Sequence, residues 1–379
     1  MYDANHSLSL ILYGLKIEMK HFRFSIIFTV ICLALSAYWG YTHGVDAGLS
    51  TMFKALMITA ILAVMEISLS FDNAVVNASV LKNWDPFWKM LFLTVGILVA
   101  VFGMRLVFPL LIVAVTADMG MVEVAKLALS DPAEYSARLM AHHAEIAAFG
   151  GMFLLLVFLN FMFDDEKDTH WFHWLEKKSA HFGSIPAISV FISLISLLIM
   201  AAYVEEHERL VVTMAGIWGI VVYVGVQVVG HLLEGSQDGT AEDNAEAQGN
   251  AELAKTVMKG GIGGFLYLEV LDASFSFDGV IGAFAITNDV VIIMLGLAIG
   301  AIFVRSMTIY LVEKGTLDAY VYLEHGAHYA IGALAVIMLG SGTGLHVPEL
   351  VTGLIGIVFI VWAVLSSIAY KRRQQTETH

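Results

Sequence analysis

Glu66-Ile67-Ser68-Leu69-Ser70-Phe71-Asp72-Asn73 has a second copy some two hundred residues on, Asp272-Ala273-Ser274-Phe275-Ser276-Phe277-Asp278-Gly279. Acid, serine, serine and aspartate recur at the same spacing in both. Each copy lies inside a long apolar stretch. An acid at the centre of a bilayer costs about 2.5–3.5 kcal/mol on insertion scales, so four of them require a reason. Paired acids at corresponding positions of two membrane repeats are the usual sign of a shared ion or substrate site.

The rest of the chain sets the frame for that motif. It is 58% hydrophobic and 14% charged, and only 5 of its 379 residues are proline. Mean hydropathy is +0.78. Apolar runs near 24–42, 52–80, 88–116, 143–163, 185–203, 210–232, 258–287, 290–312, 322–340 and 348–370 are each read as a span. Each is long enough to cross a hydrocarbon core about 30 Å thick. The expected fold is therefore an all-α polytopic membrane protein of about ten transmembrane helices. The net charge of −14 and the lack of any basic patch interleaved with aromatics exclude a nucleic-acid partner. Cys32 is the only cysteine, which leaves no disulfide framework and no thiolate metal cage. Acids crowd the stretch from Glu234 to Glu252, which has little apolar surface and reads as a solvated linker.

Lys and Arg fall mainly on one side of this arrangement. Lys16, Lys20, Arg23, Lys82, Lys89, Lys167, Lys177, Lys178, Lys255, Lys259, Lys314 and Lys371 to Arg373 lie on the side of the N-terminus. Lys54, Lys126, Arg138 and Arg209 lie opposite. The bias places both termini in the cytoplasm, with the first apolar run retained as a helix.

The duplication extends past the motif. Gly96 is followed nine residues later by Arg105, as Gly296 is by Arg305. A third helix opens with His143 and runs through Ala148-Phe149-Gly150-Gly151; its counterpart opens with His325 and runs through Ala330-Ile331-Gly332-Ala333. The motif helices lie five crossings apart in the order of spans, an odd number, so they enter the membrane from opposite faces. That is an inverted repeat of three-helix units, suited to alternating access around a midplane site. The corresponding division is an N-terminal tail and extra helix (1–51), a first repeat (52–163), and linking helices with an acidic cytoplasmic loop (164–257). A second, inverted repeat (258–340) and a C-terminal helix with a basic tail (341–379) complete it.

Residues on a helix advance by about 100° each, so Glu66 and Ser70 share one face and Ser68 and Asp72 a nearly opposite one. Either two of the four groups line a site, or the helix unwinds. Residues 52–80 as one helix would run about 43 Å, well beyond the core, and Asp72-Asn73 and Asp278-Gly279 are turn-prone pairs. Irregular backbone at this depth is tolerated where it lines a polar cavity. The available donors are carboxylates, hydroxyls, the Asn73 amide and freed carbonyls, a hard set suited to Mg²⁺, Ca²⁺ or Mn²⁺. Ser68, Ser70, Ser274 and Ser276 either ligate or let helices approach closely. Arg105 and Arg305 are read as counter-ions of Asp72 and Asp278 or as gating partners. His143 and His325 are read chiefly as satisfied interfacial side chains and, in the alternative, as ligands, proton carriers or gating groups; Gly96, Gly296, Gly150 and Gly151 are read as packing glycines.

At these residues the chain resembles the TerC family of integral membrane proteins, within the lysine-exporter superfamily. Glu66, Leu69-Ser70 and Asp72-Asn73-Ala74 match the family's first pattern; Phe275, Asp278 and Phe284-Ala285-Ile286-Thr287 match its second. Arg305-Ser306 resembles the opening of its next stretch, so the likeness covers roughly 52–340. Asp278-Gly279-Val280-Ile281 lacks the proline of the family pattern, and extra N-terminal and mid-chain segments resemble a longer branch. The resemblance implies export of a metal ion, manganese above all, across the bacterial inner membrane. Glu66, Asp72, Asn73, Asp272 and Asp278 would be the ion-handling positions, and no prosthetic group is implied.

Without a Walker-type nucleotide motif, the energy would come from an ion gradient or the membrane potential. Three other readings stand beside a cation exporter. The first is an exporter of a small organic solute such as an amino acid, held by Arg105 and Arg305. The second is a scaffold that helps metallate other proteins. The third is a metallohydrolase using His142, His143 and Glu145, which lacks the spacing that puts two histidines and a base on one helix face. The sequence leaves the oligomeric state open.

Overall fold

The computed structural model describes residues 4–43, 48–96, 98–164, 167, 169–183, 185, 187–234, 260–315, 319–345 and 347–377. The side chains of 4–20, 116, 230–234, 277–278, 349–350 and 375–377 lie outside that description. The acidic stretch beyond Glu234 is outside it too.

Among the described residues the chain is helical throughout, with no strand. The first helix, α1, is Ala4–Thr42. The first motif occupies α2 (Leu49–Leu69) and α3 (Phe71–Leu81). The Arg105 helix begins as α4 (Pro86–Leu91), becomes π-helical over Phe92–Gly96 and Val99–Val107, and ends as α5 (Phe108–Thr116). Two short helices follow, α6 (Met121–Ser130) and α7 (Pro132–Met140). The His143 helix is α8 (His143–Phe163), with α9 (His173–Gly183), α10 (Ile188–Tyr203) and α11 (Arg209–Glu234) after it. The second half comprises α12 (Ile262–Ile286), α13 (Val290–Glu313), α14 (Leu323–Ser341) and α15 (Glu349–Glu377).

Seven of the described helical segments are long and apolar enough to cross a bilayer; α9 with α10, bent by 104°, would make an eighth. Two of the ten expected spans fall short of that standard. Every 18-residue stretch of α12 contains Glu269, Asp272 and Asp278. Glu324, His325 and His328 make the start of α14 polar. Both helices are enclosed by others: α12 packs on α8, α11 and the Arg105 helix, and α14 on α3, α8 and α15. Large apolar side chains stand exposed on the outer helices, among them Ile27, Val30, Phe191, Leu198, Trp218, Val358 and Leu365. Such a surface is abnormal in water and ordinary in lipid. The protein is a polytopic membrane protein.

The inverted relation of the halves is visible in the contacts. Gly279 lies against Glu66, while Asp272 lies against Asn77, so the motif segments cross antiparallel. In α8 and α14, Ala147 meets Gly342, Gly150 meets Met338 and Phe158 meets Gly332, again in opposite order. Each motif helix packs on the arginine helix of the other half: α2 and α3 on α13, α12 on the π-helical stretch as well as on α11. Gly150 and Gly151 leave no room for a side chain beside Met338 and Leu339.

The expected unwinding takes a different form. In the first motif a single residue, Ser70 (φ −103°, ψ 16°), interrupts the helix two positions before Asp72. In the second, α12 runs unbroken through Asp278-Gly279. A glycine inside a helix need not break it. Here a Cβ on Gly279 would lie 2.5 Å from Glu66 Oε2, so its hydrogen makes room for a carboxylate. The marked irregularity is in the Arg105 helix, whose wide π-turns are a common mark of functional sites.

Candidate functional site: a divided polar centre

Glu66 lies in the last turn of α2 and is 1% exposed. Its Oε1 accepts hydrogen bonds from Ser70 Oγ at 3.0 Å and from Arg105 Nη2. Arg105 is buried as well and donates from Nη1 to Ala100 O at 2.8 Å. Arg305, at the matching place in the second half, donates from Nε to Leu93 O at 2.7 Å. Both acceptor carbonyls belong to the π-helical stretches, whose wider turns leave backbone oxygens open to side chains. Arg105 therefore does not pair with Asp72 as expected but takes Glu66; Arg305 donates to a carbonyl, and the side chain of its expected partner Asp278 lies outside the described residues. The break at Ser70 separates the two carboxylates: Glu66 stays on α2 beside Arg105, while Asp72 on α3 lies against Gly356 of α15.

Asp72 stands in the first turn of α3, where the helix dipole favours an anion, and its Oδ1 accepts from Asn73 N at 2.9 Å. With Glu66, Ser70, Gly279, Thr352 and Gly356 it lines one small cavity. A second cavity is lined by Asn73, Asn77, Phe92, Leu93, Arg105, Asp272, Arg305 and Thr308. There Asp272 Oδ1 accepts from Asn77 Nδ2 at 2.9 Å, and Asn73 also bonds to Asp272. The Oδ1 atoms of Asn73 and Asn77 have no partner among the described residues although both residues are buried. Unsatisfied buried oxygens cost about 1–3 kcal/mol each, and native proteins keep few of them without a use. The cavities offer about 20 and about 30 Å³ to the centre of a water-sized sphere, the first holding Asp72 and the second Asp272. That is room for roughly two waters, or for one ion and a water, in either.

Among the described residues the duplicated carboxylates Glu66, Asp72 and Asp272 thus do not all line one cavity. Among the described residues no three His, Cys, Asp or Glu side chains converge as a metal cluster. Glu66 and Asp72 face one cavity, Asp272 and Asn73 the other; the Asp278 side chain lies outside the described residues. Of the serines, Ser70 bonds Glu66, and Ser68 and Ser274 bond carbonyls one turn back, Val64 O and Val270 O. Ser276 Oγ is buried with no partner among the described residues. His325 lines neither cavity: its Nε2 is 2.9 Å from Thr169 O and 3.4 Å from Glu176 Oε2. His143 opens α8, away from both. His142 Nδ1 lies 2.9 Å from Glu145 Oε1.

Besides Thr308 and Thr352 on the cavity walls, two polar residues escaped the sequence reading, Asn77 and Glu269. Neither is duplicated: the positions 206 residues away in the other half (283 − 77, 269 − 63) hold Ala283 and Ala63. A search for recurring polar positions passes over both. Their signal is helical spacing instead, Asn77 one turn after Asn73 and Glu269 one turn before Asp272.

Known proteins add one assignment. No curated protein and no solved structure matches the chain. From residue 71 to residue 374, through both arginines and the Asp272 cavity, it matches the family described as "Protein of unknown function (DUF475)", and the chain belongs to that family.

Proposed function

We propose that this protein is a secondary transporter that carries a hard divalent cation, Mn²⁺ foremost, out of the cytoplasm. The observation that carries this reading is the set of buried oxygens around the larger cavity. Asp272 supplies a carboxylate there, and Asn73 and Asn77 turn unpartnered amide oxygens into the same neighbourhood. Carboxylates, amide oxygens and a few waters are the ordinary ligands of such ions, and Mn²⁺ shares that preference. The choice of Mn²⁺ among them rests on the likeness to the TerC family, as does the outward direction.

The ion pair of Glu66 and Arg105 divides the route. Arg105 walls the Asp272 cavity, and Glu66 walls the Asp72 cavity. In the proposed cycle a cation enters one chamber and competes with Arg105 for carboxylate oxygen. Release of the pair then joins that chamber to the other. Arg305 beside the cavity keeps the ion's well shallow, so that binding does not become trapping.

The organic-solute reading has one observation in its favour, the two guanidinium groups on the larger cavity. Against it, Arg105 is already neutralised by Glu66, and space for about two waters does not admit an amino acid in this conformation. Efflux of Mn²⁺ from cells producing wild type or Asp272→Asn tests the proposal, with Ca²⁺, Mg²⁺, Fe²⁺ and Zn²⁺ as competitors. Wild type should lower cell manganese and the variant should not. Equal efflux by both, at equal membrane abundance, would refute the assignment.

A further inference from the structure

Glu269 belongs to neither cavity wall nor motif, yet it is only 6% exposed, and neither carboxylate oxygen has a hydrogen-bond partner among the described residues. An ionised carboxylate held like this costs several kcal/mol unless a positive charge compensates it. The cations of the surrounding helices are committed elsewhere, Arg105 to Glu66 and Ala100 O, Arg305 to Leu93 O. Tyr223 is engaged with Asn160, and Glu66 and Asp72 are acids themselves. The charged group that acts on Glu269 is Asp272, of the same sign, one turn along the same helix. Gly96 completes the niche: any Cβ there would collide with Glu269 Oε1, so the Arg105 helix comes this close only through a glycine.

Two carboxylates three residues apart on a helix have Cβ atoms about 5–6 Å apart. A divalent ion with oxygen ligands at about 2.0–2.6 Å fits between such side chains. We infer that Glu269 and Asp272 together form a binding position for a hard divalent cation, completed by the amide oxygens of Asn73 and Asn77. This rests on the cation reading above and adds to it a charged ligand from outside the duplicated motif. The position is asymmetric, built on α12 with no counterpart acid in the first half. It supplies the positive charge that Glu269 otherwise lacks.

The test is Mn²⁺ titration of the purified full-length protein by calorimetry, paired with melting curves with and without Mn²⁺. Glu269→Gln and Asp272→Asn should each weaken Mn²⁺ binding by about tenfold or more, since affinity at such sites follows the number of charged ligands. Glu269→Asp, which keeps the charge, should retain more affinity than Glu269→Gln. Without metal, Glu269→Gln should melt no lower than wild type, because it removes a buried unpaired charge. Wild-type affinity in Glu269→Gln would overturn the inference and leave the cation reading intact if Asp272→Asn still loses binding. A metal-free melting point several degrees below wild type would also overturn it, by showing a structural role. A wild type that neither binds nor moves Mn²⁺ would remove the functional reading itself.

Discussion

Replacing Arg105 by methionine should destabilise the protein far more than neutralising Asp72 does. Methionine keeps most of the arginine stem and deletes the guanidinium. Glu66, 1% exposed, would be left with Ser70 Oγ as its one remaining side-chain donor among the described contacts. Removing one partner of a buried pair costs about 3–5 kcal/mol, because the other charge is stranded. Unfolding entropy of about 2.1 cal/mol/K per residue gives about 0.8 kcal/mol/K for a chain of 379 residues, hence a drop of about 4–6 °C. Converting both partners, Arg105→Met with Glu66→Leu, removes the stranded charge and should recover much of the loss. Asp72→Asn keeps the side chain's size and leaves the pair intact, so it should shift melting by about 1 °C or less. The assay is loss of the monodisperse peak after heating in detergent. A single variant as stable as wild type, or a double variant no better than the single, would refute the pairing of these two residues.

Three further predictions concern Gly279, the motif aspartates and Glu176. Gly279→Ala places a methyl group 2.5 Å from Glu66 Oε2 and should both lower the melting point and abolish transport, whereas Gly120→Ala, with open space around it, should do neither. Asp72→Asn and Asp278→Asn should block manganese efflux while membrane abundance stays at the wild-type level; protection against excess manganese by either variant would count against their role. Glu176 lies on α9, outside the seven helical segments that qualify as spans on their own, at the buried end of the His325 contact. Burial pushes its carboxyl up, but the His325 side chain, the Phe172 N–H and Lys167 more than offset this and hold it at about 2, below the ordinary 4.5. A depressed carboxyl stabilises the fold fully above its unfolded value, so the gap in melting point between wild type and Glu176→Gln should be constant at neutral pH and close as pH falls from 4.5 towards 2. A gap that persists below that window would show that the charge is not what Glu176 contributes.

What the sequence disclosed, and what it hid, follows from the range of the interactions concerned. The spans are legible because the bilayer demands long apolar runs, and the shared face of Glu66 and Ser70 is legible because helical advance is fixed. Partner choice across the bundle is not. Whether Arg105 meets Glu66 or Asp72 depends on how α3 turns at Ser70 and on the π-register of another helix, and no local residue pattern encodes either. The repeat itself misled in one respect. Looking for duplicated polar groups assumes a symmetric site, while Asn77 and Glu269 stand opposite alanines in the other half. Gly279 was read for backbone freedom when its smallness against a carboxylate is what the packing uses.

The first helix has a consequence for any motion of the bundle. α1 is fastened to α13 near both faces: Ser25 Oγ contacts Ser306 Oγ at 2.6 Å and donates to Ile302 O, and Trp39 Nε1 donates to Asp289 Oδ2 at 3.0 Å. Between these ties, Ser36 Oγ lies 2.7 Å from Thr59 Oγ1 of α2. A rocking step that displaced α13 would carry α1 as ballast, with α2 in tow. The swinging unit would then be larger than a bare three-helix repeat, and its outer lipid-facing flank would be the first helix of the chain.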